Sequence, residues 1–295
     1  MTLDDYMLTV FCLVDDQLTQ LHLDHVRQRG FAPRLYDSEV LTIELVGEFL
    51  GFDQDARLFW YFRQHHAAAF PNLRQIHRTT FLRQAANLWA VKQRLQQHLA
   101  CLLTAGDPLW HVDSMPVHAC QFARAPYCQR FAGAAAFGKD HVIRQTFYGF
   151  RLHLRTSRDG IIEAAVLAPA NAAETAVVWE LALPGGSVGI GDRNYWSPAL
   201  TEELAQGGIR LLAPYKNKKH DPQPERSRGL RRLHWLIETV NSQLAGRFGV
   251  KRTWAKDLWH LCSRMLRKIL SHTVAAWINV RQGHRPLDFA SLLSD

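Results

Sequence analysis

The stretch Phe147-Tyr148-Gly149-Phe150-Arg151-Leu152-His153-Leu154-Arg155-Thr156 decides the fold class. Tyr148, Phe150, Leu152 and Leu154 alternate with Phe147, Gly149, Arg151, His153 and Arg155, which is the two-residue period of a strand. Asp159-Gly160 supplies a turn and Ile161–Ala168 a second apolar run, so the segment predicts a β-hairpin. Toward the C-terminus, Ala172–Leu183 has helical spacing and stops at Pro184-Gly185-Gly186. Ser187–Ile190 is a short buried strand running into Gly191-Asp192. Pro198–Gln206 predicts a helix halted by Gly207-Gly208, and Ile209–Pro214 another short strand. Upstream, Leu109–Val117 is an apolar run with polar interruptions, a further strand. Strands alternating with helices predict an α/β core with a mixed sheet. The antiparallel pair comes first, and parallel strands follow the helical crossover.

Both flanks read as helix. Leu41, Leu45, Phe49 and Leu50 recur at helical spacing, and a helix is expected from Phe81 to about Leu103 with Thr79-Thr80 at its start. Downstream, helices are expected from about Gly229 to Phe248 and from Asp257 to about Arg281. The expected organisation is a helical region at 1–106, the α/β core at 107–256, and a C-terminal helix and tail at 257–295 packing on that core. With 295 residues, 47% of them hydrophobic, the chain can bury a sizeable core, which excludes disorder as the default. No run approaches the ~20 apolar residues of a spanning helix, and the acidic start Met1–Asp5 lacks a cationic leader. Five scattered cysteines without a Cys-x-x-Cys pair read as reduced, cytoplasmic thiols. His111, His118, Cys120, Cys128, His141 and His153 fit no familiar zinc spacing.

The net charge of +8 is unevenly placed. No acidic residue occurs from Arg57 to Gly106, a segment that contains Arg74, Arg78, Arg83 and Lys92. A short helix, a turn and a longer basic helix there can enter a DNA groove; the alternative is a solvated basic face. Residues 210–232 carry 8 basic and 2 acidic groups, including Lys216, Lys218, Lys219, Arg226, Arg228, Arg231 and Arg232. That reads as a phosphate track, with a solvated loop as the alternative.

Three carboxylates stand out against this pattern. Asp113 interrupts the strand Trp110–Val117, where an unpaired charge is expensive to bury. Asp192 follows a strand end, the place where α/β sheets hold ligands. Glu238 lies in a helix whose stripe is Leu233, Leu236, Ile237, Val240 and Leu244, while Arg231, His234, Glu238, Asn241 and Ser242 share the other face. Clustered carboxylates repel one another when empty, and a hard divalent cation relieves that repulsion. Such a set, taken by itself, can be drawn from any of the 27 acidic residues.

Five ordered blocks narrow the choice. They are Val112–Val117, Tyr148–Leu154, Gly191–Tyr195, Leu211–Asn217 and Ile237–Leu244. In content and order they resemble the DDE transposases of bacterial insertion sequences, as do the tail Arg264–Asn279 and the basic N-terminal helices. The resemblance implies a ribonuclease H-like core between helical ends, with Asp113, Asp192 and Glu238 as catalytic ligands of two Mg2+ ions, for which Mn2+ can substitute. It further implies a nucleoid-associated enzyme acting on double-stranded DNA, cutting at terminal inverted repeats and joining the 3′-ends to target DNA. A homodimer would hold the two ends. Arg193-Asn194 stand where many relatives carry Lys-Gly, and Arg193 keeps a basic group there. A subgroup with Tyr, Arg and Lys around its Glu is not matched, because those positions hold Arg231, His234 and Ala245. Arg231 and His234 remain candidate phosphate contacts. A nuclease of the same core without strand transfer, or a non-catalytic DNA-binding relic, are the alternatives.

Overall fold

The computed structural model describes residues 1–23, 32–120, 122–140 and 143–293. Helices α1 (Leu3–Gln20), α2 (Asp37–Phe49), α3 (Asp55–His65), α4 (Arg78–Asn87) and α5 (Trp89–Thr104) come first. Strands β1 (Leu109–Cys120), β2 (Ala136–Asp140), β3 (Gln145–Ser157), β4 (Ile162–Pro169), β5 (Val188–Gly191) and β6 (Arg210–Leu212) follow. The short α6 (Glu174–Val177) precedes β5, and α7 (Pro198–Gln206) separates β5 from β6. Then come α8 (Pro224–Leu233), α9 (Trp235–Gly246) and α10 (Leu258–Arg281). Contacts group these into two units, 1–99 with 244–295 and 100–243.

In the helical unit, α2 is buried from Ser38 to Phe49 and packs against α1, α3, α4 and α10. Its buried carboxylates Glu44 and Glu48 face cations of the same unit: Lys92 Nζ lies 2.6 Å from Glu44, and Lys268 Nζ lies 2.7 Å from Glu48. Glu44 and Glu48 are therefore internal charges and not part of a surface patch. Lys92, read from sequence as a DNA contact, is fully buried and also donates to Ala85 O and Ser263 Oγ, so no ammonium is left for phosphate. The sequence reading also put the C-terminal helix on the α/β core, whereas α10 packs with α2 and α4. Apolar periodicity records that a helix is buried but not which neighbour buries it. Among the described residues, no helix is long and apolar enough to cross a membrane.

The second unit is a ribonuclease H-like mixed sheet. β1 pairs antiparallel with β3, whose far edge takes β2 near its start and β4 along the rest. On its other side β1 pairs parallel with β5, and β5 parallel with β6. The expected hairpin is β3–β4, closed where Gly160 adopts φ +83°. β2 was not expected; Ala136–Asp140 lacks alternation and becomes a strand by pairing with Gln145–Gly149.

One face of this sheet is sealed by Trp110 and Val112 of β1 against Val178, Leu181, Tyr195, Leu200 and Leu204. Glycine makes that packing possible. A Cβ on Gly189 would sit 2.2 Å from the Trp110 ring, and one on Gly191 would sit 2.9 Å from Tyr195. Trp110 is 1% exposed and its Nε1 donates to Ser187 Oγ at 2.8 Å, so the ring has little freedom to retreat. Gly189→Ala is therefore expected to destabilise the protein by about 1–3 kcal/mol through overpacking. Denaturant midpoints measure this, and an unchanged midpoint would mean that the indole repacks freely.

Candidate active site

The parallel register pairs Val112 with Gly191, so the next residues, Asp113 and Asp192, lie side by side where the two strands leave their common ladder. Asp113 is tightly held. Its Oδ1 accepts from Ser114 N at 2.8 Å and its Oδ2 from Asn241 Nδ2 at 2.7 Å, with His234 Nε2 at 3.7 Å from the same oxygen. Asp192 caps the 3-10 turn Arg193–Tyr195 by accepting from Asn194 N at 2.9 Å. This carboxylate therefore sits at the C-terminal end of β5, between β1 and β6.

Two helical residues reach Asp113. His234 ends α8, and Asn241 lies on α9, seven residues on. Glu238 lies between them at four and three residues, on the same helical face, and is itself exposed. A single helix was expected across this stretch, yet it divides at His234, where the turn faces Asp113.

Glu174 was not anticipated. It stands at the first turn of α6, where Ser114 Oγ donates to its Oε1 at 2.6 Å and Arg151 Nη1 lies 3.5 Å away. The signal available was a lone charge in the otherwise uncharged segment 164–179. Arg151 also donates to Ser114 Oγ at 3.2 Å, tying β3 to this group. These contacts make one electrostatic cluster. Burial, with the neighbouring carboxylates Glu174 and Asp113, pushes the Asp192 carboxyl up to about 6. Burial opposes a proton on His234, but Asp113, Asp192 and Glu238 outweigh it and raise the imidazole's affinity. His153, buried and next to Arg151, is pushed down to about 4 and stays neutral.

The remaining predicted residues are distributed as follows. Lys216, Lys218, Lys219, Arg226, Arg228, Arg231 and Arg232 are exposed, and Arg193 is half-buried beside Asp192. Arg74 and Arg83 are exposed and Arg78 half-buried in the helical unit. His234 is buried against Asp113 and is unavailable as an exposed phosphate contact.

Asp113 and Asp192 carry hard oxygen ligands of the kind a divalent metal takes. Buried Glu174 Oε2, Asn241 Oδ1, His234 Nδ1 and Tyr195 OH have no hydrogen-bond partner among the described residues, as expected around a site that takes a further group. Among the described residues, which exclude His141, no three His, Cys, Asp or Glu side chains form a closed metal cage. The arrangement fits magnesium's usual mode, one or two carboxylates with water and substrate phosphate completing the shell.

Residues 105–256, just over half of the chain, match the family model described as a transposase DDE domain. No curated protein and no solved structure matches.

Proposed function

The chain belongs to the DDE transposase family, and on that premise we propose that it cuts double-stranded DNA at the terminal inverted repeats of its own element and joins the 3′-ends to target DNA. The observation that supports this reading is the adjacency of Asp113 and Asp192 on parallel strands, with His234 and Asn241 reaching Asp113 from the helices. Asp113, Asp192 and Glu238 would hold two Mg2+ or Mn2+ ions. When bound, these ions would activate the attacking water or 3′-hydroxyl and stabilise the leaving oxygen.

The protein's own residues prepare that site. Asn241 and the Ser114 amide fix the Asp113 carboxylate in one orientation, so it needs no reorganisation. The Asn194 amide does the same for Asp192. Burial first, and then the neighbouring Glu174 and Asp113, push the Asp192 carboxyl up to about 6, and a bound cation would favour its ionised form. Asp113, Asp192 and Glu238 outweigh burial and raise the proton affinity of His234, which would place a proton beside Asp113.

The exposed cations from Lys216 to Arg232, with Arg193, would track the backbone of bound DNA, and Arg74, Arg78 and Arg83 would contribute from the helical unit. Replacing Lys216, Lys218 and Lys219 by alanine is expected to reduce the slope of log K against log salt by up to about 3, near 0.9 per phosphate lost. An unchanged slope would show that these lysines do not touch the backbone.

Purified protein with Mg2+ and DNA carrying the ends that flank its coding sequence tests the activity itself. Nicked products with 3′-hydroxyls, and joined products from pre-cut ends, are expected. Cutting without any joining would reduce the activity to that of a nuclease. No metal-dependent cutting would remove the enzymatic reading.

A further inference from the structure

Two of the five cysteines meet in the α/β unit, outside the carboxylate cluster and unused by phosphoryl transfer. Cys120 closes β1, and Cys128 follows the 3-10 turn Phe122–Tyr127, eight residues on. The turn brings the chain back on itself, so that the Cys120 side chain hydrogen-bonds to that of Cys128. Cys128 Sγ donates in turn to the Arg130 carbonyl at 3.9 Å, and the Cys128 amide to Ala125 O at 3.1 Å. Both thiols are free and half-buried, so a small solute can reach them. The other three cysteines, Cys12, Cys101 and Cys262, sit on α1, α5 and α10.

Neighbouring elements hold the pair in place. Cys120 lies across from Tyr148 of β3, and the Tyr148 hydroxyl donates at 3.5 Å to the carbonyl of Phe131, three residues beyond Cys128. The same carbonyl accepts from the amides of Ala134 and Ala135 at 3.0 and 2.9 Å. Phe131 is buried, packs edge-on to Phe150 with ring centroids 5.4 Å apart, and keeps a left-handed φ of +59°. A bulky residue holds that φ only where its surroundings over-determine it, so the chain just after Cys128 is fixed. A disulfide needs sulfurs about 2.05 Å apart, with Cα atoms within roughly 4.4–6.8 Å. The register of β1 against β3 shifts between His118 and Cys120, which gives the strand end slack to close that last gap. Burial, and then Cys128, push the Cys120 thiol up to about 11, against the pull of Arg130 and Arg124. Cys120 therefore keeps its proton, and attack on an oxidant falls to Cys128.

We propose that Cys120 and Cys128 form a peroxide-reactive dithiol, a modification site that closes reversibly to a disulfide. The Cys128 thiolate attacks one peroxide oxygen and the O–O bond breaks. Hydroxide leaves, takes up the proton that Cys128 released, and becomes water, while Cys128 becomes a sulfenic acid. That step also removes the Cys128 charge, one of the influences holding the Cys120 proton. The Cys120 sulfur then attacks the Cys128 sulfur. The S–O bond breaks, the S–S bond forms, and the departing hydroxide leaves as water with the Cys120 proton. Two thiols lose two electrons, and one peroxide becomes two waters. The bridge pins the turn that presents Phe122, Arg124 and Tyr127 to solvent onto the end of the strand that carries Asp113. A dithiol reductant reopens it. This chemistry is independent of whether the protein cuts DNA.

Hydrogen peroxide added to the full chain, followed by alkylation and trypsin without reductant, tests this. Trypsin cuts after Arg94, Arg124 and Arg130, which puts Cys120 in peptide 95–124 and Cys128 in peptide 125–130. The two peptides are expected as one disulfide-linked mass, from protein that stays monomeric on a non-reducing gel. Free thiols should fall from five to three and return to five with dithiothreitol. The link should persist in Cys101→Ser, whose cysteine shares peptide 95–124, and vanish in Cys120→Ser and in Cys128→Ser. Dimedone should trap Cys128 as a sulfenic acid in the Cys120→Ser protein. Peptides that stay unlinked while peroxide consumes thiols elsewhere overturn the proposal. So does a link that survives in Cys120→Ser, a covalent dimer bridged through these residues, or the absence of trapped Cys128.

Discussion

Asp113→Asn is expected to lower DNA strand cleavage by roughly 10³-fold or more, about 4 kcal/mol of barrier, while leaving the fold intact. Asparagine keeps the shape of the side chain, and its carbonyl can still accept from the Ser114 amide. What it loses is the charge that a divalent cation needs and the acceptor for Asn241, whose Nδ2 would now face another NH2 group. These two losses can be separated. The reciprocal pair Asp113→Asn with Asn241→Asp restores a donor opposite an acceptor, so thermal stability should return toward wild type. Cleavage should not return, because the carboxylate now sits on the helix and not at the strand. Recovery of activity in the double variant would mean that Asp113 matters only for holding Asn241. The measurement is cleavage rate on element-end DNA alongside melting temperature for all four proteins.

The second large effect lies in the helical unit. Arg267 is 2% exposed, and its guanidinium donates to Glu48 Oε1 at 2.6 Å, to Glu44 Oε1 at 3.3 Å and to Asp55 Oδ1 at 2.8 Å. Arg267→Met would leave three carboxylates in the interior, facing Lys92, Lys268 and Arg264 alone. Stripping one partner from such a buried set costs about 3–5 kcal/mol, because the stranded charge has no water to replace the lost contact. This says nothing about the worth of the whole network against an apolar core, which can be as stable. The same group predicts acid sensitivity. Burial would raise the Asp55 carboxyl, but Arg267 and Arg264 outweigh it and hold it at about 2, below its ordinary 3.8. A depressed carboxylate contributes its stability above pH ~4 and loses it as pH falls through ~2, a contribution on the order of 2 kcal/mol. Asp55→Asn should flatten that part of the acid denaturation curve. A loss below about 1 kcal/mol in Arg267→Met would show that the carboxylates find water or neutralise.

What the sequence disclosed, and what it withheld, follows from how each feature is encoded. The alternation of Phe147–Thr156 and the Asp159-Gly160 turn are local, and they led to β3, β4 and a mixed sheet that the structure has. The strand Ala136–Asp140 is not locally encoded, since its state comes from its neighbour. The helix expected over Phe81–Leu103 is broken at Leu88 without any glycine or proline to announce it. Lys92 shows the limit of charge counting. A lysine in an acid-free segment looks like surface, and only the fold brings Glu44 to it across 48 residues. At the site, helical spacing alone put His234, Glu238 and Asn241 on one face, and two of these three touch Asp113. Glu174 was not legible as part of the cluster, because its link to Asp113 runs through Ser114 on another element.

The central claim is that Asp113, Asp192 and Glu238 share divalent ions, and counting bound metal tests it most directly. Mn2+ titrated into the protein bound to a cleaved DNA end and read by electron paramagnetic resonance should reach two ions per chain. Asp113→Asn, Asp192→Asn and Glu238→Gln should each lose at least one of them. A Glu238→Gln protein that still binds both ions with wild-type affinity would contradict the account.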